Sequence, residues 1–471
     1  MAASIGPRIV TTLAAAAMTA SALLLTLPPS PEDDHLPSAA GGGGGGGHEL
    51  PFSRRPNLTG LGLELIEGDI AVPAGFLRKG NRPLLFPLGQ RWPDKVVPYK
   101  YHPSVNSSQK EVIEAGIEQW KKSSCIGFEE TTSATRHHIR FRVDQKGCWS
   151  LIGRTMGIAS IQSMIQGGLV QDLVQGAIFF QDINLQDPGC VHVGTVVHEI
   201  GHAVGFYHEQ SRSDRDDHIT ILYENMDSEM RMQFEKADDE TFGVPYDLGS
   251  VMQYPQHAFS KDVYELNTIV TRDPFMQSSL GGDQLTFRDM KLINAMYKCD
   301  EGCTNLADVR CENGGFIFAR HGETVACRCT CPPDTTGERC ETRIRDSYYD
   351  PPKCGRNVTE PGQIETQAVG APCVFWIQPP EGQRVRLTFT EFSFPGRTNS
   401  RIGRNKCRKG RLELRLGNRL KGRMYCGDEL QGSEFTSTGR DVILITSKLA
   451  ANSSSMFRAK VAFESSARIA P

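Results

Sequence analysis

The stretch His198-Glu199-Ile200-Gly201-His202-Ala203-Val204-Gly205-Phe206-Tyr207-His208 decides the reading of this chain. His198 and His202 stand four residues apart, so on a helix their imidazoles share one face about one turn apart, as a single tetrahedral zinc ion requires. Glu199, held near such a metal without ligating it, can take a proton from a water activated there as that water attacks a carbonyl. Gly205 tolerates positive φ, so the helix can end and the chain reverse, bringing His208 back as a third ligand. Three neutral imidazoles leave one coordination position open. The plain alternative is a helix whose histidines bind nothing, and three histidines framed by this Glu and Gly argue against it. His137, His138, His192, His218 and His257 have no such frame and read as ordinary residues.

Outward from this stretch the pattern is mixed. Val191 to Phe206 reads as a helix closed by Gly205, and Val112, Ile113, Ile117 and Trp120 recur near helical spacing. Ile139 to Val143 alternates as a half-buried strand does, and Leu285 to Tyr297 reads as a last amphipathic helix with Thr286 as its N-cap. Residues 80–299 therefore form an α+β domain. The full length of 471 residues exceeds one core and predicts two to four domains. Residues 300–341 hold Cys303, Cys311, Cys327, Cys329, Cys331 and Cys340, a segment too small for its own core that must be stapled by disulfides. Over 354–465, runs such as Arg384 to Phe389 and Val442 to Thr446 carry β-branched and aromatic residues between turns, which predicts a small β-sandwich.

At the other end, Arg8 precedes a mostly apolar run from Ile9 to Leu27, then Pro28 and Pro29. Residues 1–28 read as a secretory signal peptide, with a membrane-retained signal anchor as the competing reading. Residues 29–79 read as linker and propeptide. Their glycine run 41–47 cannot bury enough surface to order itself, and the basic pair Arg78-Lys79 reads as a cleavage site for an activating protease, with an ordinary surface basic pair as the alternative. Fourteen cysteines and sequons at Asn57, Asn106, Asn357 and Asn452 fit a secreted, extracellular, disulfide-bonded glycoprotein. A net charge of -3 argues against a nucleic-acid partner.

The run His198 to Asp216, HEIGHAVGFYHEQSRSDRD, resembles the astacin family of metzincin proteases. The similarity covers roughly Arg91 to Cys299, through Arg91-Trp92-Pro93, Val97-Pro98-Tyr99, Gly147-Cys148-Trp149-Ser150 and Gly194-Thr195-Val196-Val197. It includes Ser250-Val251-Met252-Gln253-Tyr254, which looks like the family's Met-turn. The resemblance implies a two-lobed catalytic domain built on an active-site helix, with one zinc ion on His198, His202 and His208 and Glu199 as general base. It further implies Tyr254 as an additional ligand that swings toward the oxyanion, and Met252 as an apolar floor beneath the metal. Gln253 departs from the pattern, since the family more often has His there. Glu209 resembles the acidic residue that pairs with the new N-terminal ammonium after propeptide removal. Glu67-Gly68-Asp69-Ile70 is similar to the latency segment, in which Asp69 would fill the open zinc position, although Ile66 replaces the usual aromatic residue. Astacin-like pairing implies Cys125 with Cys299 and Cys148 with Cys190. The six cysteines from Cys303, with Asn313-Gly314-Gly315, look like an EGF-like module. Cys354-Gly355, Cys373, Cys407 and Tyr425-Cys426-Gly427 resemble a CUB domain, one expected to hold no calcium.

The expected function is that of a secreted, zymogen-activated zinc metalloendopeptidase acting on extracellular protein or peptide substrates. Module order and the basic sandwich suggest cuticle, egg-envelope or matrix processing. Between Arg384 and Arg423, Lys and Arg far outnumber the two acids Glu391 and Glu413, so this face is expected to bind acidic matrix or glycosaminoglycan, unless it is simply a solvated surface. The rival reading is a catalytically inactive scaffold that binds through its EGF-like and CUB-like modules. Retention of Glu199 opposes it, because turnover needs that residue and metal affinity does not. A matrix-structural protein is disfavoured by the absence of long repeats.

Overall fold

The computed structural model describes residues 58–73, 90–133, 136–155, 180–237, 240–350, 353–366, 372–400, 403–447 and 455–465. The signal segment 1–28, the glycine run, Arg78-Lys79, Asn57, Asn452 and the boundary at residue 80 lie outside these. Among the described residues no helix is long and apolar enough to cross a membrane.

The N-terminal half of the described residues is built around two helices that meet through their apolar faces. Helix α1 (Ser107–Ser123) starts at a reciprocal cap: Asn106 Oδ1 accepts from Gln109 N at 3.0 Å, and Gln109 Oε1 accepts from Asn106 N at 2.9 Å. Its Ile113, Ile117 and Trp120 are buried against helix α2 (Val193–Val204), and Trp120 Nε1 donates to Val197 O at 3.0 Å. Helix α2 stops at Gly205, whose φ of 116° only glycine adopts readily. Trp92 Nε1 and the Tyr297 hydroxyl then satisfy the last carbonyls, of Ala203 and Val204, at 2.8 and 3.0 Å.

These helices share a core with a seven-stranded sheet made of β1 (Leu63–Ile66), β2 (Ile70–Pro73), β3 (Val96–Tyr101), β4 (Gly127–Glu130), β5 (His138–Arg142), β6 (Cys148–Ser150) and β7 (Phe180–Leu185). The order is β1-β2-β6-β7-β5-β3-β4. Strands β3, β4, β5 and β7 are mutually parallel, and β6 runs antiparallel to β7. The N-terminal hairpin β1–β2 adds to β6 through a parallel pair, Ile70 with Ser150. Val97, Ile139, Phe141, Ile183 and Leu185 are fully buried there, each contributing roughly 1.5–3 kcal/mol.

A second apolar core gathers Ile219, Met226, Phe234, Tyr246, Tyr254, Phe259 and Ile269. Helix α3 (Phe287–Met296), which Thr286 and Asp289 cap reciprocally, packs on the first core through Ile293. Cys125 bonds to Cys299 and Cys148 to Cys190. Residues 303–340 are cross-linked by the pairs Cys303 with Cys327, Cys311 with Cys329 and Cys331 with Cys340. The C-terminal part has two sheets around one core. The first orders Cys354–Val358, Cys373–Ile377, Val442–Thr446, Leu412–Leu416 and Arg423–Tyr425; the second orders Gly362–Glu365, Met456–Ser465, Gln383–Ser393 and Glu434–Thr436. Its disulfides join Cys354 to Cys373 and Cys407 to Cys426.

Candidate metal centre

Helix α2 and the turn after it bring His198, His202 and His208 together, with Asp69 from the β1–β2 turn in the same cluster. One ligand atom from each lies within 4.8 Å of all the others, and all four residues are buried. Asp69 Oδ2 is 3.3 Å from His198 Nε2, and its Oδ1 is 3.5 and 3.2 Å from the Nε2 atoms of His202 and His208.

The outer nitrogens settle the chemistry of the inner ones. His198 Nδ1 lies 2.7 Å from Val251 O and His202 Nδ1 2.8 Å from Phe206 O. A carbonyl only accepts, so both rings carry their proton on Nδ1 and turn an Nε2 lone pair inward. His208 Nδ1 is likewise engaged, 2.9 Å from Glu67 Oε2. Three lone pairs and a carboxylate converging in a buried space repel one another unless a cation sits among them. The residues thus fit a zinc ion, with three nitrogen donors and one oxygen donor. The other candidate group among the described residues, Cys407, Cys426 and Glu429, offers no thiolate because its cysteines are bonded to each other.

Glu199 follows the first ligand on α2 and is buried, and its Oε2 has no hydrogen-bond partner among the described residues. Burial, and then the charge of Asp69, push its carboxyl well above the usual range. The Tyr254 ring centre lies 4.4 Å from that of His208. Burial, followed by the charges of Asp69, Glu67 and Glu199, keeps its phenol protonated far above its ordinary range. Met252 lies beneath α2, so close that a Cβ on Gly201 would stand 2.7 Å from its Sδ. The turn is held by Asp289, which accepts from Ser250 Oγ at 2.6 Å and Val251 N at 3.1 Å. Gln253 is engaged by the Tyr246 hydroxyl at 2.5 Å and donates to Tyr254 O at 3.0 Å, which ties it to the second core. Glu209 is buried; its Oε1 accepts from Asp247 N at 2.6 Å and from Arg212 Nη1 at 3.2 Å. Burial raises its carboxyl well above the usual range, with Arg212 pulling the other way.

Sequence reasoning missed Glu67, which also accepts from His208 N at 3.4 Å. Its signal was its place two residues before Asp69 in the same turn. Gly68 between them has φ 87°, and a Cβ there would stand 2.7 Å from Phe259 Cζ and 2.8 Å from the Tyr254 hydroxyl, so only glycine passes. Of the sequons, Asn106 and Asn357 are both exposed. Asn106 uses its oxygen for the helix cap, which leaves the amide nitrogen that a glycan would modify outside that bond.

A family model described as Astacin, a peptidase family, matches residues 87–170 and 173–298. Blastula protease 10 from Paracentrotus lividus is 32% identical over 383 residues, spanning 76% of this chain and 56% of its own length. Zinc metalloproteinase nas-34 from Caenorhabditis elegans is 34% identical over 354 residues, 70% of this chain and 52% of its own. The chain spans about half the length of the curated relatives it matches. Among solved structures, High choriolytic enzyme 1, a hatching enzyme zinc-protease from Oryzias latipes, matches 45% of this chain and 94% of its own at 27% identity, with a TM-score of 0.37.

Proposed function

We propose, from the match of residues 87–170 and 173–298 to the Astacin family model, that the chain is a secreted zinc metalloendopeptidase of that family made as a latent precursor. The observation that carries this reading is the convergence of three imidazole Nε2 atoms and one carboxylate, with Glu199 beside them. Zinc, when bound, supplies Lewis acidity toward a carbonyl and acidifies water. Glu199 takes the proton on a carboxylate oxygen and delivers it to the leaving amine. The Tyr254 hydroxyl donates to the oxyanion that develops on the scissile carbonyl. Val251 O, Phe206 O and the Met252 side chain hold the ligands in place.

The β6 edge now taken by the hairpin is the row of backbone groups on which an extended substrate would pair as an added strand. Latency is the reading that the same geometry supports: Asp69 lies among the three imidazoles, and Glu67 holds His208 from the outer side. An activating protease cutting in the segment that contains Arg78-Lys79 releases the hairpin, after which Glu209 receives the new terminal ammonium in exchange for part of its present hydrogen bonding. The three-disulfide segment and the sandwich are assigned as EGF-like and CUB-like modules, with cuticle, egg-envelope or matrix protein as the substrate class. The test is cleavage of a denatured protein by the matured enzyme, comparing wild type, Glu199→Ala and wild type with chelator. Loss of cleavage in both is expected, and cleavage unchanged in both overturns the mechanism in favour of an inactive scaffold.

A further inference from the structure

Residues 255–268 leave the turn that carries Met252 and Tyr254 and wall the metal centre on one side. The Phe259 ring lies 5.7 Å from that of Tyr254 and closes on Gly68 where the N-terminal hairpin enters. The segment is neither helix nor strand. Its ends are tied by Thr268 N donating to Gln256 O at 2.8 Å and by Thr268 Oγ1 donating to Ala258 O at 2.7 Å.

The middle of the segment leans on the C-terminal sandwich. Lys406 pairs with Asp262, Arg397 Nη1 pairs with Glu265 at 2.7 Å, and Asn267 Nδ2 donates to Glu413 Oε2 at 3.2 Å. The side chains of the two ion pairs are only 20–26% exposed, and Asn267 and Glu413 are both buried. These are desolvated contacts, screened less than pairs on an open surface. Arg397 and Lys406 belong to the basic stretch that the sequence offers as a face for an external polyanion. Here they meet the acidic outer side of the cleft wall.

We infer that this face of the sandwich is an intramolecular brace: it docks on residues 255–268 of its own catalytic domain and fixes Phe259, and thereby one wall of the substrate cleft. The wall's meaning as a cleft rests on the peptidase reading above, whereas the docking does not. In the full-length chain, hydrogen exchange is measured for Lys406→Glu, Glu265→Lys and the conservative Lys406→Arg. Peptidase kinetics of the matured forms are measured alongside. Each reversal is expected to speed exchange of the 255–268 amides about tenfold while the Val442–Thr446 strand stays protected, and to raise KM severalfold with kcat within about twofold. Lys406→Arg is expected to leave both unchanged. Exchange that does not respond to either reversal overturns the brace. So does retention of the wild-type chain on heparin with no loosening of 255–268, because the basic face would then be free for polyanions. The exchange result reads the same in a Glu199→Ala background, so it separates failure of the brace from failure of the peptidase assignment.

Discussion

The metal centre and the sandwich docking face both bring polar side chains together from distant segments, and they differ in concentration. At the centre, four ligand atoms lie within 4.8 Å in a buried space, and each imidazole is oriented by a partner on its far side. The docking contacts are spread along 255–268 and its surroundings; Lys421 with Glu224 is half exposed, while Arg397 with Glu265 is one-fifth exposed. Coulomb energy scales inversely with the local dielectric, so the first arrangement acts as a unit and the second as a sum of small terms. Chemistry that needs one geometry is placed where a single lost group is not replaced by water, and the docking face spreads its contacts over several pairs.

This contrast can be broken in order of effect. Glu199→Gln in the matured enzyme is expected to lower kcat by about 10²–10⁴-fold while zinc content, measured by metal analysis, stays near one per chain; a smaller loss would mean that another group moves the proton. Tyr254→Phe is expected to lower kcat by about 10²-fold with KM nearly unchanged, as steady-state kinetics would show, since the hydroxyl acts on charge that exists only in the transition state. Asp69→Ala in the uncleaved precursor removes the oxygen donor that shares the cluster with the three imidazoles and should raise precursor peptidase activity about tenfold or more. If the precursor stays silent, Glu67 and the hairpin backbone suffice for latency. Lys406→Ala is expected to cost less than about 1 kcal/mol of thermal stability, and less still in high salt; a larger, salt-independent loss would place the docking face with the buried centre.

Much of the centre was legible because it is local. His198, His202, Glu199 and Gly205 lie on one helix and its stop, where 3.6 residues per turn sets the relation between positions without help from the rest of the chain. Strand and helix periodicities in the catalytic region and the sandwich were legible for the same reason, as was the cap at Thr286. Glu67 was not, because its contact with His208 spans 141 residues, and its place two residues before Asp69 does not show which group it meets. The basic run from Arg384 to Arg423 was read by its charge alone. Its partners Asp262 and Glu265 lie more than 120 residues away, and a count of charges does not show which of them are neutralised.

By itself, then, the sequence determined which side chains could hold a metal and which carboxylate could move a proton, since both follow from residue type and helical spacing. Tertiary structure alone decided that Gly68 passes against Phe259 and Tyr254, that Glu67 reaches His208, and that the basic sandwich face turns inward against residues 255–268. Those outcomes depend on burial and on contacts between distant segments, which no local periodicity encodes.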